Sequence, residues 1–289
     1  MVRVAETTMK RGVVIFAYNS GNIDYQSMAA WSAVRIAQHL GLPTTLITDV
    51  VPADSTAFED VVVTTAESGG SRYFSDIGNN VTWFNGNRMD VYNLSPYDET
   101  LVLDADYVVC SDQLNLLFEM SPDFLAPITA YDVTNTRTFD DLNWFGNNRM
   151  PMAWATVMRF RRSLLSKSVF DMMSMIRNNW QHYRNLYGVS RSTYRNDHAL
   201  SIALNTLTGH QGSWPAVPWA MASVVPEHGL QQLDYNRFRV SYTTSDSKPR
   251  HVIIADQDFH AMGKKHLGDI IAGTKIGRAS CRERVCLYV

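Results

Sequence analysis

An α/β fold, with a mainly parallel central sheet and helices on both faces, is predicted by two observations. Short β-rich apolar runs alternate with helical stretches along the chain, and 45% apolar content in 289 residues is enough for a sizeable core. The first run, RGVVIFAYN, precedes a loop containing Gly21 and then a helical stretch from about Tyr25 to Leu40. Gly41 and Pro43 end that helix, and PTTLITD reads as a second buried strand. This is a β-α-β unit whose crossover is right-handed by rule.

The polar region from Glu67 to Asn79 reads as irregular. Arg88 to Ser95 reads as a helix closed by Pro96, and ETLVLDADYVV as a buried strand; ITAYDV and MAWATVMRF are further strands. From Ser163 to about Tyr187, Leu164, Leu165, Val169, Met172, Met173, Ile176 and Trp180 recur at helical spacing. Asp197 then opens a second helix over HALSIALNTL. With no internal repeat or flexible linker, the expectation is one domain over residues 1–275.

Net charge is −2, so no global attraction to nucleic acid or acidic membranes is expected. The first apolar run is shorter than the ~7–15 residues of a signal-peptide core, and no stretch approaches the ~20 apolar residues that span a bilayer. A soluble protein of the cytoplasm, without a membrane partner, is expected. Three cysteines do not make a disulfide framework. Two of them, Cys281 and Cys286, lie in IGRASCRERVCLYV, which has no apolar period and closely resembles a translated sequencing adapter. Residues 276–289 are therefore expected to be a non-native tail, the natural C-terminus to be missing, and the gene to come from environmental DNA, where phage genes abound.

Asp104 and Asp106 carry the chemistry. They follow LVL and precede YVV, at a strand end where open α/β sheets collect ligands. Two carboxylates in so apolar a setting repel unless a cation joins them, and a hard divalent ion shared with phosphate oxygens meets that demand. The other reading is a solvated pair of loop acids. His260 offers a neutral imidazole as a third ligand, with Gly263 three residues on letting backbone amides approach phosphate; otherwise it is a surface histidine in a polar turn. Arg88, one helix before the pair, is placed to offset charge on a diphosphate leaving group, or else is a helix-surface arginine. Asp197 faces a ligand or caps its helix.

These segments together resemble the glycosyltransferase A fold, a Rossmann-like architecture, and within it the glycogenin-like family of retaining glycosyltransferases. Ala17, Tyr18 and Asn19 look like the family's nucleoside-binding edge. NRMDVYNLSPYDETLVLDADYVVCSDQLNLLF has the family's spacing from a basic residue to the metal-binding Asp-x-Asp, and buried leucines recur after it. MPMAWATVMRFRRS resembles the strand lining the donor-sugar pocket. RNDHALSIALN resembles the segment whose acidic residue and neighbour face the transferred sugar.

The resemblance implies Mn²⁺ or Mg²⁺ held by Asp104, Asp106 and His260, and a UDP-sugar as donor. It implies catalytic roles for Arg88, Asp197 and His198, and donor contacts from Ala17, Tyr18, Asn19, Arg88, Ala105, Trp154, Gly263, Lys264, Lys265 and His266. In HAMGKKH the family's lysine position is taken by His266, Lys264 and Lys265 come just before it, and the usual Pro-Trp is absent. It also divides the domain into a nucleotide-binding part, about 12–112, and an acceptor part, about 113–267.

Between Arg149 and Arg195 nine cations face one acid, Asp171, interleaved with Phe160, Trp180, Tyr183, Tyr187 and Tyr194. Arg159, Arg161, Arg162, Arg191 and Arg195 are the candidates for contact with a nucleic-acid acceptor, a hydroxymethylated base in phage DNA; otherwise the stretch is a solvated helix face and the acceptor a saccharide. Two other functions remain: a nucleotidyltransferase, although FAYNSGNID lacks the lysine of a phosphate loop, and a non-catalytic nucleotide-sugar or nucleic-acid binding protein.

Overall fold

A computed structural model describes residues 9–190, 193–211 and 214–285, with side chains as far as Thr274. The fold is mixed α/β around a six-stranded, mostly parallel sheet. Its order runs from the edge strand Asp60–Val63 through Thr44–Thr48, Arg11–Phe16 and Glu99–Asp104 to Val157–Arg161 and Phe124–Leu125. The first four strands are mutually parallel, and Val157–Arg161 runs antiparallel to Glu99–Asp104 and to Phe124–Leu125. The two central strands, VVIF and TLVL, are buried throughout, as expected where helices cover a parallel sheet.

Helix Tyr25–Leu40 begins where Asp24 accepts the Ser27 amide at 2.9 Å and ends at Gly41, whose φ of 65° is a left-handed conformation that glycine adopts without penalty. This helix packs with Lys264–Val285. A separate pair, Leu164–Asn178 and Asn196–Leu207, packs together elsewhere on the fold.

ETLVLDADYVV, one strand in the sequence reading, is two. Glu99–Asp104 stays in the main sheet, Ala105 and Asp106 make a turn, and Tyr107–Val108 enters a second, four-stranded sheet with Phe259–Ala261, Met221–Val224 and Ala130–Asp132. The stretch read as irregular instead holds a hairpin, Gly70–Phe74 paired antiparallel with Asn79–Trp83. Its strands bury only Val81, so the apolar alternation that marks a strand is missing from the sequence. The helical period after Ser163 breaks at Asn179 into Leu164–Asn178 and Trp180–Leu186. A three-stranded meander, Gly229–Gln232, Arg237–Thr243 and Pro249–Ala255, completes the fold. Among the described residues no helix is long and apolar enough to cross a membrane. Helix Lys264–Val285 runs into the stretch expected to be non-native, and side chains there, including Cys281 and Cys286, lie outside the described residues.

Candidate active site

The carboxyl ends of the parallel strands open into a cavity of about 1140 Å³. Asp104 closes its strand in register with Phe16, its amide donating to the Thr156 carbonyl at 3.0 Å. Asp106, 4% exposed, lies in the turn between the two sheets. His260 reaches it because Phe259–Ala261 pairs with Tyr107–Val108, which sets His260 opposite Tyr107, and the Ala261 amide donates to the Asp106 carbonyl at 3.0 Å. One ligand atom from each of Asp104, Asp106 and His260 lies within 4.8 Å of the others.

Two cations already serve these carboxylates. Arg88, 2% exposed, donates to Asp104 Oδ1, and Lys264 Nζ donates to Asp106 Oδ2, where His260 Nε2 also lies at 3.3 Å. Burial alone would raise the Asp104 carboxyl, but Arg88, by charge and hydrogen bond, and the Lys264 charge outweigh it and hold it down to about 2. Burial lowers His260, keeping its imidazole neutral, and brings Lys264 down to about 8 against the pull of Asp104 and Asp76. Two carboxylate oxygens and a neutral imidazole nitrogen form a donor set suited to Mn²⁺ or Mg²⁺. The buried His260 Nδ1, and Nε and Nη2 of Arg88, have no hydrogen-bond partner among the described residues.

Asp197 is not a helix cap. Arg195 occupies that position for helix Asn196–Leu207, while Asp197 accepts the Ala155 amide at 3.0 Å and Arg195 Nη2 at 2.6 Å. Burial opposes its ionisation, yet Arg195 and Arg72 keep its carboxyl below the usual range. Its neighbour His198 stacks between Phe145 and Trp180, at 4.6 and 6.1 Å between ring centres, and also lines the cavity.

Of the expected donor contacts, Tyr18, Arg88, Ala105, Trp154 and Lys264 line the cavity. Trp154 is held by its Nε1, which donates to the Leu142 carbonyl at 3.1 Å, and meets His260 edge to face. Ala17 is buried in the sheet and Asn19 is turned to Gln26, so neither lines it. Gly263 backs onto Pro226, and Lys265 and His266 lie outside the lining because the helix begins at Lys264 and turns them away.

The arginines expected on a nucleic-acid face need correction. Arg159 is fully buried and donates to the Met120 and Pro122 carbonyls. Arg161 pairs with the fully buried Glu99 at 2.6 Å, and Arg162 donates to the Tyr92, Ser95 and Tyr97 carbonyls. Arg161 thus sits at the opposite end of the central strand from Asp104, in register with Glu99. All three tie chain segments together: the desolvated guanidinium of Arg159 must find acceptors, while Arg161 is half-buried and Arg162 makes its bonds at an exposed position. Arg195 does line the cavity, and Arg191 lies outside the described residues. The sequence reading missed Arg72, Tyr25, Trp83 and Arg137, all of which line it; no motif marks them.

No protein-family model and no curated protein matches the chain. Solved structures are similar at low identity. The glycosyltransferase GlyE of Streptococcus pneumoniae aligns with a TM-score of 0.42 and 14% identity over 73% of this chain and 45% of that one. This chain thus spans less than half the length of GlyE. The galactosyltransferase LgtC, solved with donor and acceptor sugar analogs, gives 0.42 and 12% over 67% and 70% of the two chains, and an active-site mutant of LgtC 0.43 and 13% over 71% and 72%.

Proposed function

We propose that this chain is a metal-dependent glycosyltransferase that moves a sugar from a nucleotide diphosphate to a hydroxyl acceptor. The observation that carries the reading is the Asp104, Asp106 and His260 cluster at the carboxyl end of the central strand, opening into a cavity already lined with cations. Asp104, Asp106 and His260 would hold Mn²⁺ or Mg²⁺. The ion supplies Lewis-acid neutralisation of the diphosphate.

Arg88 and Lys264, which now neutralise Asp104 and Asp106, are positioned to bind diphosphate oxygens once those carboxylates are engaged. In the transfer, the bond from the anomeric carbon to the diphosphate oxygen breaks with its electron pair going to the diphosphate. The acceptor oxygen bonds to that carbon, and its proton passes to the departing diphosphate. Attack from the face the diphosphate leaves retains configuration. Asp197, fixed by the Ala155 amide and Arg195, steadies positive charge at the anomeric carbon, and His198 borders the sugar. The donor reading is a UDP-sugar bound by the part about 12–112, with the acceptor met by the part about 113–267.

At about 1140 Å³ the cavity exceeds the ~300–1,000 Å³ typical of single-ligand pockets, which supports donor and acceptor bound side by side. Arg159 and Arg161 are engaged with the Met120 and Pro122 carbonyls and with buried Glu99, which supports a saccharide acceptor over a hydroxymethylated base in phage DNA. The test is release of nucleoside diphosphate from a panel of nucleotide sugars with Mn²⁺. Wild type is expected to hydrolyse one of them slowly, and Asp104→Asn/Asp106→Asn to lose this while still folded. Undiminished turnover in the double variant, or release of pyrophosphate in place of nucleoside diphosphate, overturns the reading.

A further inference from the structure

Among the described residues five Arg and Lys side chains line the cavity: Arg72, Arg88, Arg137, Arg195 and Lys264. Four have a carboxylate partner, in the pairs Arg88 with Asp104, Lys264 with Asp106, Arg195 with Asp197 at 2.6 Å, and Arg137 with Glu227 at 2.9 Å. Arg72 has none within 4.0 Å among the described residues. Its guanidinium lies over the Trp83 ring, 4.0 Å from the centre, which leaves the N–H edges free to receive an anion.

The hairpin carrying Arg72 is laid across the cavity and fastened on both sides. Thr193 Oγ1 donates to the Ser71 carbonyl at 3.1 Å on one side; on the other, Ser75 Oγ donates to Glu227 at 3.3 Å and Asp76 accepts the Lys265 amide at 2.8 Å. Arg72 feels the charges of Arg195, Asp197 and Asp104, shares the cavity with the neutral phenol of Tyr25 at the start of its helix, and is felt in turn by Lys264. The guanidinium therefore faces the space between the start of helix Tyr25–Leu40 and the metal-type cluster, where a nucleotide's phosphates lie in an open α/β sheet. Burial and the like charge of Arg195 bring Arg72 down to about 10, so an anion there relieves a standing repulsion.

We propose that Arg72 is the diphosphate clamp of this site, a guanidinium delivered by the hairpin to grip the donor's phosphate oxygens from the side facing away from the sheet. This rests on the glycosyltransferase reading. It assigns the hairpin a substrate-binding role: as the sugar leaves and one more negative charge collects on the diphosphate, Arg72 is, among the described cations of the cavity, the one with no carboxylate to abandon first.

The experiment is calorimetric titration of wild type, Arg72→Ala, Arg72→Gln and Arg72→Lys with pyrophosphate and with the five common nucleoside diphosphates, each with Mn²⁺. Arg72→Ala and Arg72→Gln are expected to weaken the best-bound diphosphate and pyrophosphate by about 10- to 100-fold, the range for hydrogen bonds to charged groups. Arg72→Lys is expected to recover part of the loss, and affinity for Mn²⁺ alone to stay within about twofold in every variant. The glutamine variant keeps a planar group over Trp83 should the alanine variant fold poorly. Diphosphate affinities within about twofold of wild type in the folded variants overturn the clamp and leave the enzyme reading standing. Binding of Mn²⁺ but of no diphosphate by wild type overturns both.

Discussion

Lys264 and a divalent metal compete for the same carboxylate, and that competition can be measured. Lys264 Nζ pairs with Asp106 Oδ2, with the two side chains 11% and 5% exposed. Removing one member of so buried a pair leaves the other charge without compensation, typically at 3–5 kcal/mol. His260 also lies against Asp106 and Arg88 serves Asp104 nearby, so the lower end, about 3 kcal/mol, applies to Asp106→Asn and to Lys264→Met in metal-free buffer. At roughly 2 °C per kcal/mol for a chain of this size, each variant should melt about 6 °C below wild type. The double variant removes both charges and should fall well short of the sum, with a coupling of about 2 kcal/mol.

Mn²⁺ at one hundred times its dissociation constant adds about 2.7 kcal/mol to wild type by mass action. It should add much less to Asp106→Asn, which lacks a charged ligand. Lys264→Met should bind Mn²⁺ more tightly than wild type, because no ammonium has to be displaced. The assay is thermal melting in EDTA and across a Mn²⁺ series, with metal affinity by calorimetry. Equal Mn²⁺ stabilisation of Asp106→Asn and wild type, or weaker Mn²⁺ binding by Lys264→Met, would refute the argument that metal and lysine share Asp106.

Gly12→Ala should cost about 1–3 kcal/mol without touching the site, because a methyl group there collides with the buried Tyr97 ring, which its hydroxyl ties to Thr45 Oγ1 at 2.9 Å; denaturant midpoints should fall while Mn²⁺ affinity is unchanged. Arg161→Met should cost about 2 kcal/mol, since the fully buried Glu99 then keeps Arg11 alone, at 3.1 Å. Diphosphate affinity and retention on DNA should not change in that variant, and weaker DNA binding would restore Arg161 to an acceptor surface.

The parts of the site that could be read in the sequence are those whose local pattern reports their surroundings. LVLDADYVV announces a dry strand ending in two acids, and YQSMAAWSAVRIAQHL followed by glycine announces a capped helix. The hairpin was not legible, because GSRYF and NNVTW lie over a cavity rather than on a core and show no apolar face; Arg72 went unseen with them. The basic stretch misled for a related reason. A charge count sees Arg159, Arg161 and Arg162, but not the carbonyls of Met120, Pro122, Ser121 and Tyr97 that distant packing brings to meet them.

The pairing of Phe259–Ala261 with Tyr107–Val108 joins segments separated by more than half the polypeptide. Contacts of such long range form late and slowly in folding. The three metal-type ligands therefore come together only after nearly the whole chain has found its place. A nascent chain that has emerged only as far as Val224 would carry Asp104 and Asp106 without His260 or Lys264, two like charges with half their compensation missing. Metal capture by all three ligands should accordingly await completed folding, so that Mn²⁺ binds the folded chain far better than a fragment ending before His260.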